Sequence, residues 1–187
     1  MCKGPGIGWG LSRNVVSYNY CMITYVWVLG PTAVGKDTFI NRLASGELEN
    51  IAQSLGLEKP FIVHREALDL RHEERAELYL KIARHNHKEG TVLLKWQGAD
   101  VGHRNLQHLE SSAPESKFLY LFLDASPDAI KSRRVKRGQQ PNSWNDVNDR
   151  NECLSLAESL QSDGLKIIWL DNRNNIPTFI NRPLNIN

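Results

Sequence analysis

Apolar residues along this chain gather in short β-rich runs separated by longer stretches with helical spacing. The runs Ile23-Thr24-Tyr25-Val26-Trp27-Val28-Leu29, 61–65, 91–96, 118–123 and 165–170 predict five strands. Their near-continuous hydrophobicity fits strands covered on both faces. Helices fit the gaps. The clearest spans 127–137, with Ser126 as N-cap, Pro127 at the first position, Asp128 in the first turn, basic residues near the end and Gly138 as stop. Strand–helix alternation of this kind predicts an α/β fold, a five-stranded mostly parallel sheet flanked by helices, with ligands gathering at the carboxyl ends of the strands.

The first strand runs directly into Gly30-Pro31-Thr32-Ala33-Val34-Gly35-Lys36-Asp37-Thr38, and a helix opens there, with apolar residues at 39, 40 and 43. This is the pattern of a phosphate-binding loop in its proper context. Glycines let the backbone curl, successive N–H groups turn inward, and the helix adds its positive end. Lys36 is placed to reach the β- and γ-phosphates of a bound nucleotide. Asp37 takes the position where such loops carry a hydroxyl for Mg²⁺. Two readings stay open: the ion meets the Asp37 carboxylate, with Thr38 one helical step further round, or Asp37 only complements the helix dipole.

At 187 residues with a net charge of +2, the chain is long enough for a full core and too nearly neutral to imply bulk attraction to nucleic acid or membrane. No run approaches a transmembrane span or the apolar part of a signal peptide, so a cytoplasmic protein is expected. Cys2, Cys21 and Cys153 are too few and too scattered for a disulfide framework or metal site. Residues 1–21, crowded with Gly4, Pro5, Gly6, Gly8 and Gly10 and followed by Met22, read as an N-terminal extension, disordered or not native. The domain is expected to span 22–175, leaving 176–187 as a C-terminal tail.

Beyond the loop, Gly90-Thr91-Val92-Leu93-Leu94-Lys95-Trp96-Gln97-Gly98-Ala99, then Arg104, then Ser126-Pro127 and Arg133-Arg134-Val135-Lys136-Arg137-Gly138, resembles the second half of guanylate kinases. The ending Leu170-Asp171-Asn172 is similar too. The Gly-Lys-Asp-Thr form of the loop is closer to the related ribose 1,5-bisphosphate phosphokinases. The resemblance covers about residues 22–175 in order of elements. It implies a P-loop, nucleoside-monophosphate-kinase-like fold, with ATP and Mg²⁺ as cofactors. The chain departs from the guanylate kinases in two places. Lys95 replaces the acidic residue before Trp96, removing one expected magnesium partner. Residues 65–90 read as helical around Leu78 and Ile82, which argues against a small β-rich guanine-binding lobe.

The basic stretch Lys131–Arg137 reads either as a solvated helix face or as the helix leading into a lid. A nucleic-acid surface is not expected, because no aromatic residues are interleaved with the charges. In the lid reading, Arg137 with either Arg134 or Arg133, at spacings of three and four residues, points at one ligand and stabilises transferring phosphoryl oxygens, with 138–143 as the lid tip. Arg65, Arg71 and Arg150 are candidates for gripping an acceptor phosphate, each with an ordinary ion pair as its alternative. His64, His103 and His108 lack metal-ligand spacing, and Trp27 and Trp169 read as core. Together these residues predict phosphoryl transfer from ATP to a small phosphorylated acceptor, a nucleoside monophosphate or a ribose bisphosphate. Two alternatives remain, a nucleotide-binding module without turnover and an enzyme acting on a nucleic-acid end. Neither the acceptor nor the oligomeric state is fixed by the sequence.

Overall fold

The computed structural model describes residues 22–64, 89–95, 110–111, 113–140 and 146–181. Six strands among the described residues form one sheet: β1 Ile23–Leu29, β2 Phe61–His64, β3 Gly90–Lys95, β4 Lys117–Asp124, β5 Ile167–Asp171 and β6 Thr178–Ile180. Their order is β2-β3-β1-β4-β5-β6. All neighbours are parallel except β6, which runs antiparallel to β5. The sheet has one strand more than the five expected. The addition falls within 176–187, where three residues at the sheet edge are too short to give a periodic signal. Residues 1–21 and most of the 65–90 segment lie outside the described residues.

β1 sits between β3 and β4, and its side chains alternate between two cores. Tyr25, Trp27 and Leu29 point to one face with Val92, Leu94, Phe122 and Trp169. Val26 and Val28 point to the other with Leu93, Leu121 and Leu123. Trp27 and Trp169 are thus core residues, as their strand positions implied. Phe122 and Trp169 lie 4.8 Å apart between ring centroids in a tilted contact.

Four helices among the described residues cover the sheet: α1 Lys36–Ser45, α2 Glu49–Leu55, α3 Pro127–Lys136 and α4 Asp146–Ser162. α1 brings Phe39, Ile40 and Leu43 against the Val26 face, joined by Ile51 and Leu55 of α2 and Ile130 of α3. α4 packs Cys153, Ala157 and Leu160 on the Trp27 face. α3 begins as its sequence requires, the Ser126 hydroxyl accepting the Ala129 N–H at 3.3 Å. Gly138 follows it at φ +71°. No described helix is long and apolar enough to cross a membrane.

The consequence for the site is positional. Burial on both faces fixes the register of β1 between its neighbours, and this sets where its carboxyl end releases the chain. Leu121→Ala, at a side chain with no solvent exposure, is expected to cost about 2–5 kcal/mol. Denaturant unfolding measures this directly, and an unchanged midpoint would contradict the assigned core.

Candidate nucleotide-phosphate site

The segment after β1 turns sharply because two glycines permit it. Gly30 has φ +133°, and a Cβ there would stand 2.3 Å from the Leu123 carbonyl oxygen of β4. Gly35, at φ +103°, leaves no room either, since a Cβ would come 2.9 Å from the Asn172 side-chain nitrogen. Between them Ala33 takes a left-handed φ of +62°. The loop then enters α1, where Phe39 N–H donates to the Gly35 carbonyl at 2.9 Å.

Lys36 is 8 % exposed and turns back beneath the loop. Its Nζ donates to the carbonyls of Gly30 at 2.5 Å and Pro31 at 2.9 Å. Burial lowers its pKa to about 8, partly opposed by nearby acidic groups that include Asp149 and Asp37. An ammonium so poorly solvated and so near the helix N-terminus is primed to meet an anion. The Cys153 thiol, pushed up to about 12 by burial, stays protonated and unreactive.

The outer side of the loop is held from β5 and α3. The Val34 carbonyl accepts from Asn172 Nδ2 at 2.8 Å and from Arg133 Nη1 at 2.7 Å. Arg133 also donates through Nη2 to the Asn172 carbonyl and, at 2.8 Å, to Asn175 Oδ1. Its pKa is lowered by burial and by neighbouring Arg137. The geometry makes Arg133 a brace for the loop. Arg134 is buried, with Nη2 3.6 Å from Asp149 Oδ2. That same carboxylate oxygen accepts the Thr32 N–H at 2.7 Å. The Arg134–Asp149 pair therefore stands directly over the loop, while Arg137, after the last turn of α3, is exposed.

Arg150 differs from its sequence reading as an acceptor clamp. Nε and Nη2 form a two-point bond to Asp124 at 2.8 and 2.6 Å, with both side chains buried. Arg65 and Arg71, the other acceptor candidates, lie outside the described residues, as do 141–143 of the expected lid tip. Two contributors escaped sequence reasoning, Asp124 and Asp149, while Asn172 was noted in the Leu170-Asp171-Asn172 ending without a role. Asp124 left a signal as the acid at the end of β4. Asp149 left none, because its partner Thr32 is 117 residues away in the chain.

The expected magnesium contacts have a specific arrangement. Asp37 is exposed, and its Oδ1 accepts from Lys95 Nζ at 2.7 Å. Thr38 is exposed one step along α1. A divalent ion on Asp37 would face this ammonium, a like-charge encounter that the carboxylate between them offsets only in part. Among the described residues no group of three or more His, Cys, Asp or Glu is placed to hold a metal ion, and Asp37 is engaged by Lys95.

The architecture is the expected α/β fold, a mostly parallel sheet flanked by helices, and solved structures share it. A chain from the PezAT chromosomal toxin–antitoxin system of Streptococcus pneumoniae is similar at TM-score 0.54 and 15% identity, over 91% of this chain and 75% of that one. A candidate kinase from Chloroflexus aurantiacus gives TM-score 0.46 at 17% identity, covering 82% of this chain and 87% of its own. APE1195 gives 0.40 at 14%, covering 87% and 82%. No protein-family model matches the sequence, and no curated protein matches it. At these identities the likeness concerns the fold.

The buried Arg150–Asp124 pair has a measurable cost of disruption. Arg150→Ala, which leaves Asp124 charged and buried, is expected to destabilise the fold by about 3–5 kcal/mol. An unchanged unfolding midpoint would contradict this structural role.

Proposed function

We propose that the protein binds the polyphosphate of ATP in the loop 30–38 and transfers the γ-phosphoryl group to a small phosphorylated acceptor. The observation that carries this reading is Lys36. Its ammonium is buried at the head of α1 and, among the described residues, donates to two loop carbonyls, Gly30 and Pro31. Phosphate oxygens are stronger acceptors than those carbonyls, and the adjoining amides add hydrogen-bond donors.

An acceptor phosphate is already ionised near neutral pH, so the site needs no general base. It must bring two anionic groups into line and neutralise their repulsion. An acceptor oxygen forms the new bond to the γ-phosphorus as the bond to the β-phosphate oxygen breaks, and ADP leaves. Lys36 follows the phosphate oxygens through transfer. Arg134, above the loop beside Asp149, and exposed Arg137 supply positive charge from the lid side. Arg133 contributes by keeping the Val34 carbonyl, and with it the loop, in place. A nucleoside monophosphate or a ribose bisphosphate has the chemistry such an acceptor needs.

A second reading, a nucleotide-binding module without turnover, is favoured by one observation, the Lys95–Asp37 pair at the position of the usual metal contacts. A nucleic-acid end as substrate has less support, since Arg133 and Arg134 both turn inward to the loop and α4.

Release of ADP from ATP, screened against nucleoside monophosphates and sugar phosphates, separates these readings. One acceptor is expected to stimulate release, and Lys36→Ala is expected to lose about 2.7–4 kcal/mol of transition-state stabilisation, a hundred- to thousandfold in rate. Rates near wild type in that variant would refute the assignment. ATP binding without stimulation by any acceptor would support the module.

Binding carries a pH signature of defined sign. Lys36 titrates near 8 in the free protein, and bound phosphate raises that value by stabilising the ammonium. Affinity is therefore complete below about pH 8 and falls as pH rises through it, by at most about tenfold per unit. A dissociation constant that stays flat from about pH 7 to 9 would contradict the role of Lys36.

A further inference from the structure

Lys95 ends β3 beside β1, with Val28 as its register partner. This brings its ammonium to the first turn of α1, where Asp37 Oδ1 receives it at 2.7 Å. Lys95 also bears electrostatically on Lys36 and helps lower its pKa. Two ammonium groups therefore share one neighbourhood at the carboxyl end of the sheet. One is held beneath the loop by carbonyls and the other beside it by a carboxylate.

From this juxtaposition we infer that Lys95 is a second phosphate-binding cation, taking the place of a protein-held divalent ion, and that the site binds nucleoside triphosphate without metal. The inference rests on the reading of 30–38 as a nucleotide site. Position 37 holds a carboxylate and position 95 an ammonium 2.7 Å from it, so this side of the loop carries its own cation. Asp37 orients Lys95 in the empty site. When a triphosphate arrives, its oxygens compete for the same ammonium, which has three donors and can keep a bond to Asp37 while making another. Lys95 is half-buried at a strand end, so it moves little between these partners and loses little side-chain entropy on binding.

The test is calorimetric titration of ATP into wild type, Lys95→Ala, Asp37→Asn and Lys36→Ala, each in excess EDTA and in excess Mg²⁺, with circular dichroism to verify folding. Wild type is expected to bind in EDTA within about threefold of its affinity in Mg²⁺. Lys95→Ala is expected to lose about tenfold or more in EDTA, the cost of a charge-assisted contact, and to recover part of it in Mg²⁺, which can now approach Asp37. Asp37→Asn, which releases the ammonium from its carboxylate, is expected to bind more tightly than wild type in EDTA. Wild-type binding that collapses in EDTA, or a Lys95→Ala variant with unchanged affinity there, would overturn the inference while leaving the nucleotide site intact. No ATP binding by wild type under either condition, or binding indifferent to Lys36→Ala, would overturn the nucleotide reading and the inference with it.

Discussion

The arrangement depends on a six-residue turn, 30–35, between the end of β1 and the start of α1, held in shape by its own protein contacts. Gly30 lies against the β4 backbone where no Cβ fits. Val34 offers its carbonyl outward to Asn172 and Arg133, and Lys36 gathers the carbonyls of Gly30 and Pro31 inward. With its carbonyls committed, the loop is set in a curled form that suits amide donors turned toward an anion. Under the proposed nucleotide reading, loosening any of these ties would require the anion itself to order the loop, weakening binding by the entropy of that ordering.

The elements above the turn are fastened by charge as well as by apolar contact. Asp124 ends β4, and Arg150 of α4 reaches it through two buried bonds. Asp149, the neighbouring residue, faces Arg134 of α3 and accepts the Thr32 N–H from the loop. Adjacent residues of α4 thus engage the sheet end and the loop, so a shift of α4 is felt at both. Such pairs add little net stability compared with apolar replacements, yet breaking one leaves a buried charge, which makes the registration of α3 and α4 over the loop specific.

Much of this was legible in the sequence, and for identifiable reasons. β1 at 23–29 was recovered to the residue because an apolar run flanked by a glycine-rich turn is a local signal. α3 was marked by its cap, its proline and its stop for the same reason. β6 was missed because three edge residues paired on one side carry no periodicity. The loop 30–38 was evident as a motif, but the roles of the basic residues were not. Arg133 and Arg150 looked alike as charges on helices. Only the approach of Val34 and Asp124, 99 and 26 residues away, makes the first a brace and the second a buried strut. Lys95 was visible as a departure at its position, but its partnership with Asp37 across 58 residues is a property of the folded sheet.

The most direct test of the account is a crystal structure with a non-hydrolysable ATP analogue. The account predicts the β-phosphate inside the curve of residues 30–36, with Lys36 Nζ moved from the Gly30 and Pro31 carbonyls onto phosphate oxygens. An analogue bound elsewhere, with Lys36 still on those carbonyls, would contradict it.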